Sequence, residues 1–214
     1  MYRLFFKRLI DIVLSLIACI PFLIAFVFVA PVIYFTDKGP VFYTADRRGR
    51  NGRVFKMYKF RSMYVNSPDL RNEDGSTYNG ENDPRVTKIG KIMRKTSIDE
   101  LPQVLNVLKG DMSIVGPRPT LATKELDRTD EKRMKRLSVR PGITGYSQAY
   151  YRNSIPQDQK FENDVFYAEK VSFMLDVKII FKTFLGVVSS KNIYVDAAEP
   201  KEIVETKEEE VAVK

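Results

Sequence analysis

From Leu9 to Phe35 the chain is almost continuously apolar, interrupted by Asp11, Ser15, Pro21 and Pro31 and preceded by Arg3, Lys7 and Arg8. A run of that length reaches across the hydrocarbon of a bilayer and exceeds the core of a signal peptide. Pro21 lies near its middle, where it removes a ladder hydrogen bond and bends a helix. Cations flank both ends, with Lys38, Arg47, Arg48, Arg50 and Arg53 downstream, whereas a spanning helix favours one basic side. Two arrangements satisfy these facts: a bent helix that dips into one leaflet with both ends on the cytoplasmic face, and a kinked transmembrane anchor.

Little chemistry is available to the rest. The 214 residues carry a net charge of +8, contain no histidine, and have one cysteine, Cys19, inside the apolar run. Histidine-dependent triads, the usual zinc sites, disulfides and Cys–His nucleophiles are thereby excluded. Carboxylates, lysines, arginines, hydroxyls and hard metal ions remain. The positive charge calls for an anionic partner, which could be nucleic acid, a lipid surface or a phosphorylated small molecule.

One segment concentrates those groups. Lys91-Ile92-Met93-Arg94-Lys95-Thr96-Ser97-Ile98-Asp99-Glu100-Leu101-Pro102-Gln103 sets two adjacent carboxylates among Lys91, Arg94, Lys95, Lys109 and Arg118. Cations beside a carboxylate depress its pKa and neutralise an incoming phosphate, so Asp99 is read as an ionised nucleophile toward phosphorus. Leu101, Val104, Leu105 and Leu108 recur at helical spacing up to Gly110, and Pro102 suits a first turn, which predicts a helix starting near Asp99. The positive end of such a helix attracts phosphate. Ser97-x-x-Glu100 also matches a capping box, so plain helix capping is the competing explanation.

Elsewhere, Val41-Phe42-Tyr43 and Val54 to Phe60 read as a hairpin closed by Asn51-Gly52, with Arg47, Arg48 and Arg50 solvated and attracted to anionic lipid. Lys59 and Arg61 bracket Phe60 and suit either a phosphate contact or a structural ion pair. Asn66 to Arg85 reads as a long surface loop that could close over substrate. Val86 to Lys95 is read as a basic helix. Gly116-Pro117-Arg118-Pro119 is a rigid elbow that either presents Arg118 bidentately to phosphate or leaves it exposed. Lys124 to Leu137 is a charge-dense helix assigned to a solvated face. Tyr146, Tyr150 and Tyr151 either stack on a base or pack. Phe161 to Lys170 and Phe173 to Val188 are amphipathic helices, the second suited to a core or a membrane interface. Asp176 interrupts the latter as a cap, an ion-pair partner or a metal ligand. The acidic tail, 196–214, is expected to be disordered.

Taken together, several blocks resemble the bacterial sugar transferases, the small monotopic phosphoglycosyl transferases of the PglC type. They are Lys7-Arg8-x-x-Asp11, Gly39-Pro40-Val41-Phe42, Tyr58-Lys59-Phe60-Arg61-Ser62-Met63, Asn82-Asp83-Pro84-Arg85, Arg94 to Gln103, Asn106 to Ser113, Val115 to Pro119 and Arg140 to Gly145. The resemblance runs from about Tyr2 to Ser190. It implies an α+β, mainly helical fold: an N-terminal re-entrant membrane helix over 1–37, broken at Pro21, and a small cytoplasmic domain over 38–195 with short β-hairpins and interfacial amphipathic helices. The family's Ser-Pro bend is replaced here by Ile20-Pro21, and its tryptophan near Gln148 is absent.

The resemblance further implies a phosphosugar transfer from a UDP-sugar to undecaprenyl phosphate on the cytoplasmic face of the bacterial plasma membrane, with release of UMP. In this pattern Asp99 attacks the β-phosphorus to give an aspartyl intermediate. Glu100 is its dyad partner, and the two carboxylates hold Mg2+. Lys59, Arg61, Arg94 and Arg118 bind phosphate, and Asp176 is a further active-site residue. Nucleic acid is not an expected partner, and self-association is left open. The competing classes are a membrane-tethered binder of nucleic acid or anionic lipid without catalysis, and a direct glycosyl transfer that releases UDP.

Overall fold

The computed structural model describes residues 1–71, 78, 80, 82–122, 126–152, 154–189 and 201–202. A π-helical turn, Tyr2–Phe6, leads into helix α1, Lys7–Asp37, made from the apolar run. The helix is unbroken across Pro21 and Pro31. Proline costs a ladder bond but does not end a helix that packing supports on either side. It stops at Lys38, whose N–H makes the last helical bond, to the Tyr34 carbonyl, and whose left-handed backbone (φ 55°) turns the chain out of the helix.

The polar interruptions in α1 face protein. Asp11 is buried and accepts from the Ser113 hydroxyl (3.0 Å) and the Ile114 N–H (2.9 Å). Arg8 donates to the carbonyls of Val107 (2.6 Å) and Leu108 (3.1 Å). Mid-helix, Phe22 packs on Phe60 (ring centroids 6.0 Å), and Phe26 stacks on Phe42 (5.7 Å). At the far end Arg61 grips Asp37 with both terminal nitrogens and also donates to the Ile33 carbonyl. Both ends of α1 are therefore held by the same body. The outward face leaves Leu16, Ile17, Ile20, Leu23, Val27 and Phe28 exposed.

That body begins with an antiparallel hairpin, β1 (Phe42–Arg48) and β2 (Val54–Phe60), registered Phe42 to Phe60 and Arg48 to Val54. Its loop is five residues long, 49–53, where the sequence predicted a two-residue Asn-Gly turn. Asn51 and Gly52 do adopt positive φ (57° and 79°), but inside a 3-10 turn, Arg50–Gly52. The tip is also not a free solvated ribbon. The Asn51 N–H donates to Leu137 (2.8 Å), the Arg48 N–H to Thr120 (2.9 Å), and Arg47 bridges to Leu121.

Next come β3 (Leu70–Arg71), α2 (Lys88–Thr96), α3 (Gln103–Lys109) and β4 (Ser113–Val115), followed by α4 (Glu131–Arg136), β5 (Gly142–Thr144) and α5 (Tyr146–Tyr150). Two longer helices, α6 (Gln157–Lys170) and α7 (Phe173–Ser189), close the domain. The charge-dense helix predicted over 124–137 is only the six residues of α4, and 123–125 lie outside the described residues. Most of the tail lies outside them too, apart from β6 (Lys201–Glu202), which pairs with β3. A third two-stranded sheet among the described residues is a parallel pair, β4 with β5, rather than another hairpin. Parallel strands need a crossover, and here the segment containing α4 supplies it. Glycines let the two backbones touch: a Cβ on Gly142 would lie 2.1 Å from the Gly116 nitrogen.

Three apolar clusters tie these elements together. Phe22, Ile33, Phe60, Met93 and Val104 join α1 to the hairpin, α2 and α3. Phe55, Met57, Val107 and Met112 fill the other side of the hairpin. Val115, Val139, Tyr167, Ala168 and Ile179 seat α6 and α7. On α7 the opposite face is open, with Phe173, Met174, Val177, Phe181, Phe184 and Leu185 exposed. A second long apolar surface in addition to that of α1 is unusual for a monomer in water.

Candidate active site

The carboxylate pair occupies a short 3-10 turn between α2 and α3. After α2, Ser97 takes a left-handed conformation (φ 59°), and Ile98–Glu100 form one 3-10 turn. The α-helix α3 starts at Gln103, with Pro102 at its N-cap, so the helix predicted to begin near Asp99 begins there as a 3-10 turn and becomes α-helical four residues later. The Ser97 side chain makes no capping bond. An N-cap needs extended backbone, which a left-handed serine lacks. The capping-box explanation of Asp99 and Glu100 therefore fails.

Three elements bring cations to the pair. Strand β2 carries Lys59, whose Nζ lies 2.6 Å from Glu100 Oε1 and 4.0 Å from Asp99 Oδ2. The strand is fixed by Asn106 of α3, fully buried, which accepts from the Tyr58 N–H (3.0 Å) and donates to the Lys56 carbonyl (2.8 Å). Arg94 of α2 donates to the Ser62 hydroxyl (3.0 Å), and its charge favours ionisation of Asp99. Arg118 donates to Glu100 Oε1 at 3.3 Å while its side chain stays 57% exposed.

Arg118 is held from behind. Pro117 and Pro119 restrict its neighbours, and the Arg118 carbonyl accepts from Arg136 Nη2 at 2.8 Å. Arg136 is buried, pairs with Asp164 (2.7 Å) and lies 4.8 Å from the Phe161 ring centroid. Sequence reasoning placed Arg136 on a solvated face and gave Asn106 and Asp164 no role. For Arg136 the missed signal was position: it ends the charge-dense stretch, immediately before the apolar Leu137.

The two carboxylates are driven apart in proton affinity. Burial pushes Glu100 up, but Lys59 and Arg118 outweigh it and hold the group at about 2. Asp99 goes the other way. Burial raises it, and the negative Glu100 adds to that against the pull of Lys59, Arg94 and Arg118. The expectation of a depressed Asp99 is thus overturned: the cations are spent first on its neighbour. Asp99 is 8% exposed, enough for one face to meet a ligand and too little for water to solvate its charge fully. A buried carboxylate with a raised pKa beside an ionised one is a recurrent acid–base arrangement.

Two other candidates lie elsewhere. Arg61 is buried and saturated, donating to Asp37 and to the carbonyls of Ile33, Pro40 and Met63, so it is a structural clamp on α1 rather than a phosphate ligand. Asp176 accepts from the Tyr2 hydroxyl (2.5 Å), Lys7 Nζ (2.7 Å) and the Tyr167 hydroxyl (2.7 Å), none of which touches the dyad. It fastens the start of the chain to α7. Tyr146 and Tyr150 stack on each other at 4.7 Å. Asp83 and Arg85 form a buried ion pair that fixes the end of the predicted lid loop, of which 72–77, 79 and 81 lie outside the described residues.

A family model described as bacterial sugar transferase matches residues 2–190. The chain belongs to the bacterial sugar transferases. This sugar transferase is 44% identical over 185 residues to the galactosyl transferase CpsE of Streptococcus agalactiae, covering 83% of its own chain and 41% of CpsE. It is 42% identical over 187 residues to EpsL of Bacillus subtilis, an uncharacterized sugar transferase, covering 87% of this chain and 89% of EpsL. A UDP-N-acetylgalactosamine-undecaprenyl-phosphate N-acetylgalactosaminephosphotransferase from Aeromonas hydrophila is 40% identical over 190 residues, covering 86% of this chain and 44% of the relative. The sugar transferase thus spans less than half the length of two of these relatives and nearly all of the third.

Proposed function

We propose that this sugar transferase moves a sugar 1-phosphate from a UDP-sugar to undecaprenyl phosphate, starting the assembly of a membrane-linked glycan. The observation that carries the reading is the pairing of Asp99 and Glu100 among Lys59, Arg94 and Arg118, with Arg118 largely exposed. The carrier-lipid phosphotransferase similar to this chain supports the substrate classes.

Asp99 acts as nucleophile. One carboxylate oxygen attacks the β-phosphorus of the UDP-sugar, the bond from that phosphorus to the bridging oxygen breaks, and UMP departs with the electron pair. A phosphate oxygen of the lipid then attacks the same phosphorus, and Asp99 leaves as a carboxylate. No proton donor is required because UMP is a stable anion, which fits a chain without histidine. Arg118 is exposed to incoming substrate and held by Pro117, Pro119 and Arg136, so it is placed to bind the diphosphate. Lys59 keeps Glu100 ionised and remains 4.0 Å from Asp99, placed to meet charge gathering at phosphorus.

The donor chemistry fits magnesium. No group of three or more His, Cys, Asp or Glu side chains gathers among the described residues, but this ion uses one or two carboxylates and completes its shell with substrate phosphate and water. Asp99 and Glu100 would hold it. When bound, it neutralises the diphosphate.

The membrane arrangement we infer is supported by the way α1 is held. With Arg8 and Asp11 at one end and Ile33 and Asp37 at the other tied to one domain, both ends lie on one side, and the exposed faces of α1 and α7 enter a single leaflet. The side is the cytoplasmic one, where UDP-sugars are supplied.

The decisive assay combines purified protein, magnesium, undecaprenyl phosphate and a panel of UDP-sugars. UMP should form, and Asp99→Asn should abolish it. Release of UDP instead would identify a direct glycosyl transfer, and unchanged turnover in Asp99→Asn would end the reading. Labelled UDP-sugar alone should leave label on the protein.

A further inference from the structure

At the tip of the hairpin, away from the dyad, an open cavity of about 230 Å³ is lined by Arg50, Arg53 and Arg140 together with Gly110, Phe55 and Asp111. Arg8 adjoins it. Its Nη2 lies 3.6 Å from where a Gly110 Cβ would stand, and Arg140 Nε donates to the Gly110 carbonyl at 2.9 Å. Four guanidinium groups thus gather where the lining holds a single carboxylate, Asp111.

Helix capping accounts for only half of them. Arg8 and Arg140 satisfy the terminal carbonyls of α3 at Val107, Leu108 and Gly110. Arg50 and Arg53 do not take part, and among the described residues their side chains have no hydrogen-bond or ion-pair partner. The cluster also works against itself, because burial and the charges of Arg8 and Arg50 make Arg140 less willing to stay protonated. Like charges gathered in a concavity are stabilised by an anion that fills it.

The size of the space limits the ligand. Sites for drug-sized molecules run to roughly 300–1,000 Å³, so this cavity suits a compact anion and not a nucleotide. Forked guanidinium donors fit phosphate best. Position narrows it further, since Arg8 immediately precedes the apolar run that begins at Leu9.

We propose that this cavity is a second anion site, separate from Asp99 and Glu100, that binds a phosphate group through Arg8, Arg50, Arg53 and Arg140 at the membrane boundary. The phosphate is either a lipid headgroup or a free anion.

Isothermal titration of the full chain in detergent micelles tests the site, with inorganic phosphate, dihexanoyl phosphatidic acid and, as a neutral control, dihexanoyl phosphatidylcholine. The exposed pair is changed together, Arg50→Gln with Arg53→Gln, which leaves the core intact. At least one phosphate probe should bind, the double variant should raise its Kd at least about tenfold, and Asp99→Asn should leave that Kd unchanged. Binding of phosphatidic acid alone identifies a headgroup site, and equal binding of inorganic phosphate identifies a free-anion site. No binding of either probe, an unchanged Kd in the double variant, or loss of binding in Asp99→Asn overturns the proposal.

Discussion

At the scale of single residues, the site is a contest for cations that Glu100 wins. Its carboxylate is ionised down to about 2 by Lys59 and Arg118, and Asp99 is left with a raised proton affinity caused by burial and by Glu100 itself. UMP release should therefore fall on the acid side with an apparent pKa above the 3.8 of an ordinary aspartate. In Glu100→Gln, whatever activity survives should lose its acid limb at lower pH, because one source of the upward shift is gone. A pH–rate profile of that variant that moves upward would contradict this electrostatic account. Stability follows the same signs. The unfolded chain ionises Asp99 at lower pH than the folded chain does, so raising pH through that interval costs stability. Asp99→Asn should leave the melting temperature equal or higher. Glu100 contributes in the opposite sense: its stabilisation is present above 4.5 and is lost as pH falls through about 2. Glu100→Gln should thus destabilise by about 1.5–3 kcal/mol, the scale of a charge-assisted hydrogen bond, as read by thermal denaturation at neutral pH.

At the scale of elements, α4 and α6 act on the dyad through one carbonyl. Arg136 joins Asp164 to the back of the Pro117–Pro119 elbow, so it positions Arg118 without reaching substrate. Arg136→Ala should destabilise the protein by roughly 3–5 kcal/mol, because it leaves Asp164 buried and uncompensated. The double change Arg136→Met with Asp164→Leu should restore most of that loss. It still removes the donor to the Arg118 carbonyl, so KM for the UDP-sugar should stay raised while stability recovers. Recovery of both together would make Arg136 merely structural. The paired strands behind the elbow give a second check. Gly142→Ala places a Cβ 2.1 Å from the Gly116 nitrogen, and neither backbone can yield without parting β4 from β5. That variant should show lost stability and lost activity together.

At the scale of the whole molecule, a long apolar helix is fastened to its own domain at both ends. The Arg61–Asp37 clamp at one end and the Arg8 and Asp11 contacts at the other tie both ends of α1 to one domain, so the proposed arrangement has residues on either side of α1 on one face of a membrane. In sealed vesicles carrying a Cys19→Ser background, Arg3→Cys and Thr44→Cys should be labelled from the same side by an impermeant reagent. Opposite accessibility would replace the dipping helix with a spanning one. Much of this was legible beforehand. The apolar run, the hairpin strands, α2, α3, α6 and α7, and the cationic surroundings of Asp99 and Glu100 are local patterns of periodicity and composition, which the chain writes along its own length. Long-range pairing was not legible. Asp11 reaches Ser113, Arg61 turns back to Asp37, Asp176 fastens Tyr2 and Lys7, and Arg136 finds Asp164. A buried charge takes whichever opposite charge the packing delivers, and only the assembled fold decides that. Sequence alone determined that an acidic pair would sit among cations in a chain with a long apolar helix. The tertiary structure decided which carboxylate keeps the cations, because burial differs between adjacent side chains in a way no linear spacing encodes.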